Sequence, residues 1–578
     1  MKIYLYNFKT IKLVGIMLLL INICQGCKST NKTSFTKDKF SHKIELNKLV
    51  STSWHQNDYQ QDSIPGISLE KWYIQNTRKS KSKSIVVAVI DTQIDLKHED
   101  LKGKIWTNLN EIVNNGIDDD NNGYVDDHNG WSFTGTKSGG YVVWNRYEYV
   151  RIVSEWGALF KDKTELQIIR EDINKYREYQ RAIKTLDEKN KYYKNWLQSL
   201  KHSVAVYPLV KDTLKYFFPK EDYTYKQLDS MYNRYKINDK SYGKRRNDND
   251  KDLGALIFFM MVNLEVNQKT LEDVKDQERQ LDSIVNKNLN LAYNERLPIG
   301  DNPNILQRGY GNNNVSNTIL GVRTIQDHNT MVSGIIAANR INDKGIKGIL
   351  QNVKIMPLNI CPSGDEHDKD ITMAIRYAVD NGAKVINMSF SKEFSMHEDW
   401  VLEAFKYAEE HNVLIVQSAG NESLNLDENE SFPRDMMLNH SNEVCNNFIK
   451  VGSSTQKLHS SFVSDYSNYG KKNVDLFAPG EDIYTTAAGN IYKSESGTSL
   501  AAPMVSGTAA LIWSYYPKLS AKQVKQIILE SGTAYDIEVL VPGGNGKKAK
   551  FSELSKSGKV LNVYNAMQLA KKVSKSKQ

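Results

Sequence analysis

Cysteine is scarce in this sequence, which has four in 578 residues. So few cysteines cannot form a disulfide scaffold, and their spacing matches no zinc site. An excess of one charge is also missing, because 76 Lys and Arg are interleaved with 68 Asp and Glu. This balance argues against a nucleic-acid-binding protein. Hydrophobic residues make up 40% of the chain, which supports a packed core and excludes wholesale disorder.

The N-terminal region lacks an apolar run long enough to span a bilayer. Residues 13–24 are largely apolar, whereas a spanning helix needs about 20 such residues. Lys2, Lys9 and Lys12 precede this run. A positive start followed by a short apolar stretch is typical of a secretory signal. We therefore predict a signal peptide over residues 1–27 and an exported protein.

The end of the predicted signal, Cys24-Gln25-Gly26-Cys27, resembles a bacterial lipobox. In such a motif the cysteine after a small residue receives lipid and becomes the mature N-terminus, which here is Cys27. Gly26 fits this pattern, but Cys24 stands where Leu is usual. The alternative is an ordinary signal-peptidase cut nearby. Lipidation predicts a periplasmic or cell-surface protein that is anchored to a bacterial membrane.

Beyond the signal, we predict an N-terminal arm over residues 28–80, a core in two parts over 81–133 and 309–565, and a basic tail over 566–578. In the core, short β-branched runs alternate with helical patterns. The runs are residues 85–90, 353–358, 384–390 and 413–417, and the helical patterns are near 367–381, 397–411 and 499–516. Continuous apolar strands separated by helices indicate an α/β fold, a parallel sheet with helices on both faces.

Residues 134–308 interrupt this alternation and contain few β-branched runs. Apolar residues at helical spacing predict an amphipathic helix there; they are Leu166, Ile169, Ile173, Tyr176, Ile183 and Leu186. We interpret the segment as a helical insertion in the core. Whether it decorates the surface, covers a cleft or docks a partner stays open.

Four polar residues follow or open the predicted elements of the core. Asp91 ends the first strand, where α/β folds place their active sites. His328 opens a helical pattern, and Asn421 follows the strand over residues 413–417. Ser499 opens a helix in a run of small residues. The small side chains allow close approach of a substrate, and the N-terminus of the helix favours developing negative charge. Each of these residues alone has a structural explanation, but together they indicate catalysis.

The order Asp, His, Asn, Ser resembles the subtilisin-like serine proteases over about residues 45–133 and 309–565. The resemblance implies that Ser499 is the nucleophile and His328 the general base and then acid. It also implies that Asp91 orients the imidazole and that Asn421 donates to the oxyanion. By the same resemblance an extended peptide binds along two segments. Their residues are Ser389, Phe390, Ser391, Ser418 and Gly420.

The sequence departs from this family at several positions near the expected site. Gln93, Asn329 and Ser391 stand where Gly is usual, Met331 replaces a His, and Leu500 replaces a Met. Asn329 can replace Gly because Asn tolerates left-handed backbone. No departure removes a catalytic group, so we expect an active endopeptidase that cleaves proteins or peptides. We also expect the protein to be a monomer. The alternative is an inactive relative that serves as a binding module.

An acidic loop over residues 118–127 has oxygen-bearing side chains at alternate positions and Gly123 at the sixth. This spacing suits Ca²⁺, which takes six to eight oxygen ligands. The first-choice ligands are Asp118, Asp120, Asn122 and Asp126. Asn129 replaces the Glu of an EF-hand, so the loop is not a standard one. We predict structural Ca²⁺; the alternative is a solvated acidic turn.

Overall fold

The computed structural model describes residues 52–76, 82–266, 268, 270–316, 327–360, 363–436 and 442–576. The predicted signal peptide and Cys27 lie outside these ranges, as do much of the predicted arm and Cys361. Among the described residues, no helix combines the length and apolar character that crossing a membrane requires. Cys445 is buried and forms no disulfide with another described residue.

A nine-stranded, mostly parallel sheet forms the centre of the first compact unit, which comprises residues 1–143 and 296–578. The sheet strands in chain order are β1 (Ile85–Asp91), β2 (Trp131–Ser132), β3 (Val353–Asn359), β4 (Val385–Met388), β5 (Leu414–Ser418), β6 (Phe448–Ser454), β7 (Leu476–Pro479), β10 (Thr533–Ala534) and β13 (Lys559–Val560). Their order across the sheet is β10-β13-β7-β6-β5-β4-β1-β3-β2, and only the β10–β13 pair is antiparallel. Two hairpins accompany the sheet, β8 (Ile483–Ala487) with β9 (Ile491–Glu495) and β11 (Glu538–Leu540) with β12 (Lys548–Lys550).

Helices cover both faces of this sheet, which confirms the predicted fold class. The helices of the unit are α1 (Tyr59–Asp62), α2 (Leu69–Gln75), α9 (His328–Ala337), α10 (Asp368–Asp380), α11 (Glu398–Glu410), α12 (Thr498–Tyr515), α13 (Ala521–Ser531) and α14 (Val563–Lys575). Val87 and Val89 of β1 pack into the apolar cluster that contains α9 and α12. Ala88 and Ile90 face the cluster that contains α10 and α11. Since side chains alternate across a strand, residues 85–90 of β1 are all apolar because both faces of the strand are buried.

The second compact unit, Trp144–Glu295, is helical. Its helices are α3 (Glu148–Phe160), α4 (Ile173–Lys215), α5 (Tyr225–Tyr235), α6 (Tyr242–Asp248), α7 (Leu253–Glu265) and α8 (Leu271–Ser283). The predicted amphipathic helix begins at Leu166, whereas the observed helix α4 begins only at Ile173. Leu166 and Ile169 precede it and are exposed. Thr164 and Gln167 close a separate short turn through a capping box, which ends the regular periodicity there.

Both ends of the described chain are packed against the core. Trp54 and Trp72 of the predicted arm are buried in the apolar cluster beneath α9 and α12. The predicted basic tail is helical, since α14 extends to Lys575 and buries Met567 and Ala570. The lysines of this segment lie between apolar residues at helical spacing, so they occupy the exposed face of a packed helix.

Candidate active site

An acid–base pair joins the end of β1 to the start of α9. Asp91 is the last residue of β1 and is 1% exposed. Nδ1 of His328, the first residue of α9, lies 2.8 and 2.9 Å from the two carboxylate oxygens of Asp91. An Nδ1–H that donates to a carboxylate leaves Nε2 as the basic nitrogen of the neutral ring. The pair therefore presents an oriented imidazole.

The pKa of His328 is raised above its ordinary value by the charges around it. Burial alone would lower this pKa, but the Asp91 carboxylate and its hydrogen bond outweigh that effect. Glu495, at the end of β9, raises the pKa further, whereas Lys493 of the same strand opposes the rise. Sequence reasoning missed Glu495 and Lys493, because no motif marks the hairpin that carries them.

Asn329 fixes the first turn of α9 against the end of β1. Its backbone N–H donates to Thr92 Oγ1 at 3.1 Å, and its side-chain Nδ2 donates to the Thr92 carbonyl at 2.8 Å. Asn329 lies inside the helix, and its φ is not positive. The expected left-handed backbone is therefore wrong. The amide replaces Gly by making these hydrogen bonds, which hold His328 beside Asp91.

The side chains of Ser499 and Asn421 lie close together beside Gly497. A methyl group built on Gly497 would lie 3.6 Å from Nδ2 of Asn421 and 3.7 and 3.8 Å from the backbone nitrogen and Oγ of Ser499. One small space therefore borders a hydroxyl and two N–H groups. Ser499 is the second residue of α12, so its backbone N–H lies in the first turn, where helices lack internal acceptors.

Two hydrogen bonds from Thr498 orient the side chain of Asn421. Oδ1 of Asn421 accepts hydrogen bonds from the backbone N–H and the hydroxyl of Thr498, both at 2.9 Å. Because Oδ1 is held by these donors, Nδ2 is turned toward the space beside Ser499. The backbone N–H of Gly420 also donates to this hydroxyl, at 3.1 Å. Sequence reasoning missed Thr498, although it directly precedes Ser499.

The predicted substrate segments lie at the carboxyl ends of β4 and β5, which are neighbours in the sheet. The hydroxyl of Ser389 donates to the Ser499 carbonyl at 2.8 Å, so this segment is attached to the start of α12. Phe390 is half-buried, and its carbonyl accepts from Gln417 Nε2 at 3.1 Å. Ser418 is the buried last residue of β5.

Ser391 and Gly420 approach each other between these two segments. Gly420 has a φ of +103°, and a methyl group on it would lie 2.9 Å from Ser391 Oγ and 2.5 Å from Oε2 of Glu422. Only glycine fits both the conformation and the space. Burial raises the pKa of Glu422 despite its hydrogen bond from Asn468, and Glu393 adds to the rise. Sequence reasoning missed Glu422, which directly follows Asn421.

Two of the predicted metal ligands shape the acidic loop through backbone hydrogen bonds. The carboxylate of Asp118 accepts from the backbone N–H groups of Asn122 and Gly123, at 3.0 and 2.8 Å. The two oxygens of Asp126 accept from the N–H groups of residues 115 and 116, at 3.0 and 2.9 Å. The side chain of Asn122 accepts from Tyr124 N–H and donates to Asp127.

The acidic cluster of this loop differs from the predicted ligand set. Among the described residues, the carboxylates close enough to share one metal ion belong to Glu111, Asp120 and Asp127. Only Asp120 belongs to the predicted four. Burial raises the pKa of Glu111 and of Asp127, and the neighbouring carboxylates contribute to both shifts. Sequence reasoning missed Glu111 because it lies outside the alternating pattern of residues 118–127.

Comparisons with known proteins cover the part of the chain that carries this site. The sequence model described as the Subtilase family matches residues 82–552. Subtilisin-like protease 1 of Plasmodium falciparum is 33% identical over 248 residues, which are 40% of this chain and 34% of that protein. The cell wall-associated protease of Bacillus subtilis is 35% identical over 213 residues, 37% of this chain and 22% of that protein. The chain thus spans about a third or less of these relatives' lengths.

Among solved structures, the chain matches the epidermin leader peptide processing serine protease of Staphylococcus aureus. It has a TM-score of 0.35 and 24% sequence identity, and the match covers 44% of this chain and 66% of that chain.

Proposed function

Because this chain belongs to the subtilase family, we propose that it is a serine endopeptidase that hydrolyses peptide bonds of proteins. The observation that carries the proposal is the geometry of two residue pairs, Asp91 with His328 and Ser499 with Asn421. An oriented imidazole stands at the start of α9, and a serine hydroxyl beside two N–H donors stands at the start of α12. These two helices pack against each other.

In the proposed reaction, Ser499 Oγ attacks the carbonyl carbon of the scissile bond while Nε2 of His328 takes the hydroxyl proton. Asp91 keeps the imidazole in the required tautomer and stabilises its protonated form. The carbonyl oxygen becomes an oxyanion that accepts hydrogen bonds from Asn421 Nδ2 and the Ser499 N–H. His328 then donates its proton to the leaving amine, and water hydrolyses the acyl-enzyme by the reverse sequence of proton transfers.

The proposed substrate is an extended polypeptide that lies along residues 389–391 and 418–420 as an added strand. Support comes from the attachment of both segments to the nucleophile. Ser389 donates to the Ser499 carbonyl, and Gly420 donates to Thr498. A peptide held by these segments would have its scissile carbonyl fixed relative to Ser499 Oγ, which is the positioning that amide hydrolysis needs.

Covalent labelling tests the proposal. The full chain is treated with a fluorophosphonate probe, and the labelled peptide is mapped. We expect one phosphonylated residue, Ser499, and a fall of about 10⁶-fold in kcat on a casein substrate for Ser499→Ala. Ser494→Ala is the matched control, because Ser494 is an exposed residue of β9 five positions away, and it should keep both labelling and turnover.

Labelling elsewhere, or turnover that survives Ser499→Ala, would refute the assignment of the nucleophile. Absence of labelling and turnover in a folded wild-type chain would support the alternative, a binding module that lacks catalysis.

We also propose that the protein is exported and held on a bacterial membrane by lipid at Cys27. Support comes from the lysines and the short apolar run before Gly26-Cys27. In cells fed an alkyne fatty acid, the wild-type chain should carry the label and sediment with membranes. Cys27→Ser should lose both properties. A labelled Cys27→Ser variant, or a wild-type chain without label, would contradict lipidation at this residue.

A further inference from the structure

A carboxylate lies between the two segments that are proposed to bind the substrate. Oε2 of Glu422 is 2.5 Å from the position that a methyl group on Gly420 would take, and the hydroxyl oxygen of Ser391 is 2.9 Å from the same position. Ser391 belongs to the first segment and Gly420 to the second. Glu422 therefore stands where the two segments approach each other, one residue beyond Asn421.

Glu422 lies in the wall of a recess. The residue is exposed to solvent, yet the surrounding protein desolvates its carboxyl group enough to raise the pKa. A carboxylate on a convex surface would be exposed without being desolvated, so the two observations together describe a concave site. Asn468 Nδ2 donates to Oε2 of Glu422 at 2.7 Å, which holds the carboxylate in this position.

The charge around Glu422 is negative. Among the described residues, Glu422 forms no ion pair with Lys or Arg, and the charged side chain that acts on its carboxyl group is that of Glu393. Glu393 lies two residues beyond Ser391, so its charge comes from the chain that continues the first segment. A cationic side chain that enters this recess would meet an attractive potential, and an anionic one would be repelled.

The position of the scissile bond determines which substrate side chain reaches the recess. In the proposed reaction the carbonyl oxygen of that bond accepts from Asn421 Nδ2. The substrate residue that supplies this carbonyl therefore lies beside Asn421 and its chain neighbours, Gly420 and Glu422. Other substrate residues lie farther away, because each step along an extended strand is about 3.3 Å. A long side chain from the residue before the scissile bond can thus reach the carboxylate.

Resting on the proposed peptidase function, we propose that the chain cleaves after Lys or Arg and that Glu422 is the residue that determines this specificity. The ammonium or guanidinium group of the substrate donates hydrogen bonds to the Glu422 carboxylate, and the Ser391 hydroxyl offers a further acceptor. A neutral side chain of the same length leaves the carboxylate without this partner and is the poorer substrate. An acidic side chain is repelled and is the poorest.

Two fluorogenic peptide amides that differ only in the residue before the cleaved bond test the inference. One carries arginine, and the other carries citrulline, which has nearly the same shape but no charge. We expect the full wild-type chain to show a kcat/KM at least about tenfold higher for the arginine peptide. Glu422→Gln should reduce this ratio to less than about threefold, with the loss falling on the arginine peptide.

Glu428→Gln is the matched control for this variant. It removes an exposed carboxylate from the chain that connects β5 to β6, the same connection that carries Glu422. Because Glu428 lies outside the recess, the variant should keep the wild-type ratio. A wild-type ratio near one, an unchanged ratio in Glu422→Gln, or equal losses in both variants would overturn the inference.

The wild-type ratio requires no variant, so the inference stays falsifiable if Glu422→Gln does not fold. Fluorophosphonate labelling separates failure of the inference from failure of the proposed function. A labelled chain that does not favour the arginine peptide refutes the basic preference alone. A folded chain that takes no label and cleaves neither peptide refutes the proposed function, and the preference with it.

Discussion

The proposed active site and the acidic cluster differ in what their carboxylates face. In the active site the Asp91 carboxylate faces the His328 imidazole, and Glu495 lies 3.8 Å from Lys493. In the acidic cluster, the carboxylates of Glu111, Asp120 and Asp127 face one another, and the donors that reach them from the described residues are neutral amide, hydroxyl and backbone N–H groups. The first region pairs opposite charges, whereas the second brings like charges together without a Lys or Arg partner among the described residues.

This difference predicts which property each region controls. Substitutions in the active site should change the rate of hydrolysis and leave stability nearly unchanged. Substitutions in the acidic cluster should change stability and leave the chemical step nearly unchanged. A variant that violates this separation would show that the two regions are coupled.

Asn421→Ala gives the largest expected effect of the three tests. It removes one of the two proposed donors to the oxyanion, so kcat should fall by about 10²–10³-fold with little change in KM. Stability should stay close to the wild-type value. Steady-state kinetics on a peptide substrate and denaturant unfolding measure the two quantities.

Asn421→Asp is the matched variant, because it keeps an oxygen to accept from Thr498 but loses the donor. It should be at least as slow as Asn421→Ala, since a carboxylate would repel the oxyanion. Activity within threefold of wild type in either variant would mean that Asn421 does not stabilise the transition state.

Tyr377→Phe tests the acidic cluster with a smaller expected effect. The change removes the hydroxyl that donates to the buried carboxylate of Asp127. The free energy of unfolding should fall by about 1–3 kcal/mol, because a buried acceptor loses a donor. Denaturant unfolding measures this loss, and kcat below the unfolding transition should be unchanged.

Tyr407→Phe is the control for this substitution. Its hydroxyl also donates to a carboxylate, that of Asp380, but on the exposed surface at 2.6 Å. Its loss should cost less than about 1 kcal/mol, because water can replace the donor. Equal losses in the two variants would show that burial of the cluster contributes nothing.

Much of the active site could be predicted from the sequence because its residues mark the ends of regular elements. Asp91 ends a continuous apolar strand, and His328 and Ser499 lie in the first turns of buried helices. In a parallel sheet the carboxyl ends of strands meet at one edge, so the order of the chain already implied proximity. The interactions that refine the site, from Thr498 and Glu495, depend on side-chain contacts that no periodicity records.

The acidic cluster was less predictable because it is formed by irregular chain. Asp118 and Asp126 fit the alternating ligand pattern, but both use their oxygens to accept backbone N–H groups. Glu111 enters the cluster from outside that pattern. In a loop, local hydrogen bonds compete with ligand geometry, and only the folded backbone decides which carboxylates converge.

The smallest expected effect concerns the charges that β9 presents to His328. Hydrolysis needs the neutral imidazole, so kcat/KM should fall as the pH drops through the pKa of His328. Glu495 stabilises the charged ring and raises this pKa, whereas Lys493 lowers it. Glu495→Gln should therefore move the acid limb of the pH profile to lower pH, and Lys493→Gln should move it to higher pH.

The two variants form a matched pair, because each replaces one charge of the same strand by the same neutral side chain. Both groups are partly exposed, so each should change kcat/KM on the acid limb by about two- to fivefold and leave the plateau unchanged. Lys493 also lies 3.2 Å from Asp327. Lys493→Gln therefore also removes this cation from Asp327, which directly precedes His328. Shifts of equal sign in the two profiles would mean that the hairpin affects His328 through its position and not through its charge.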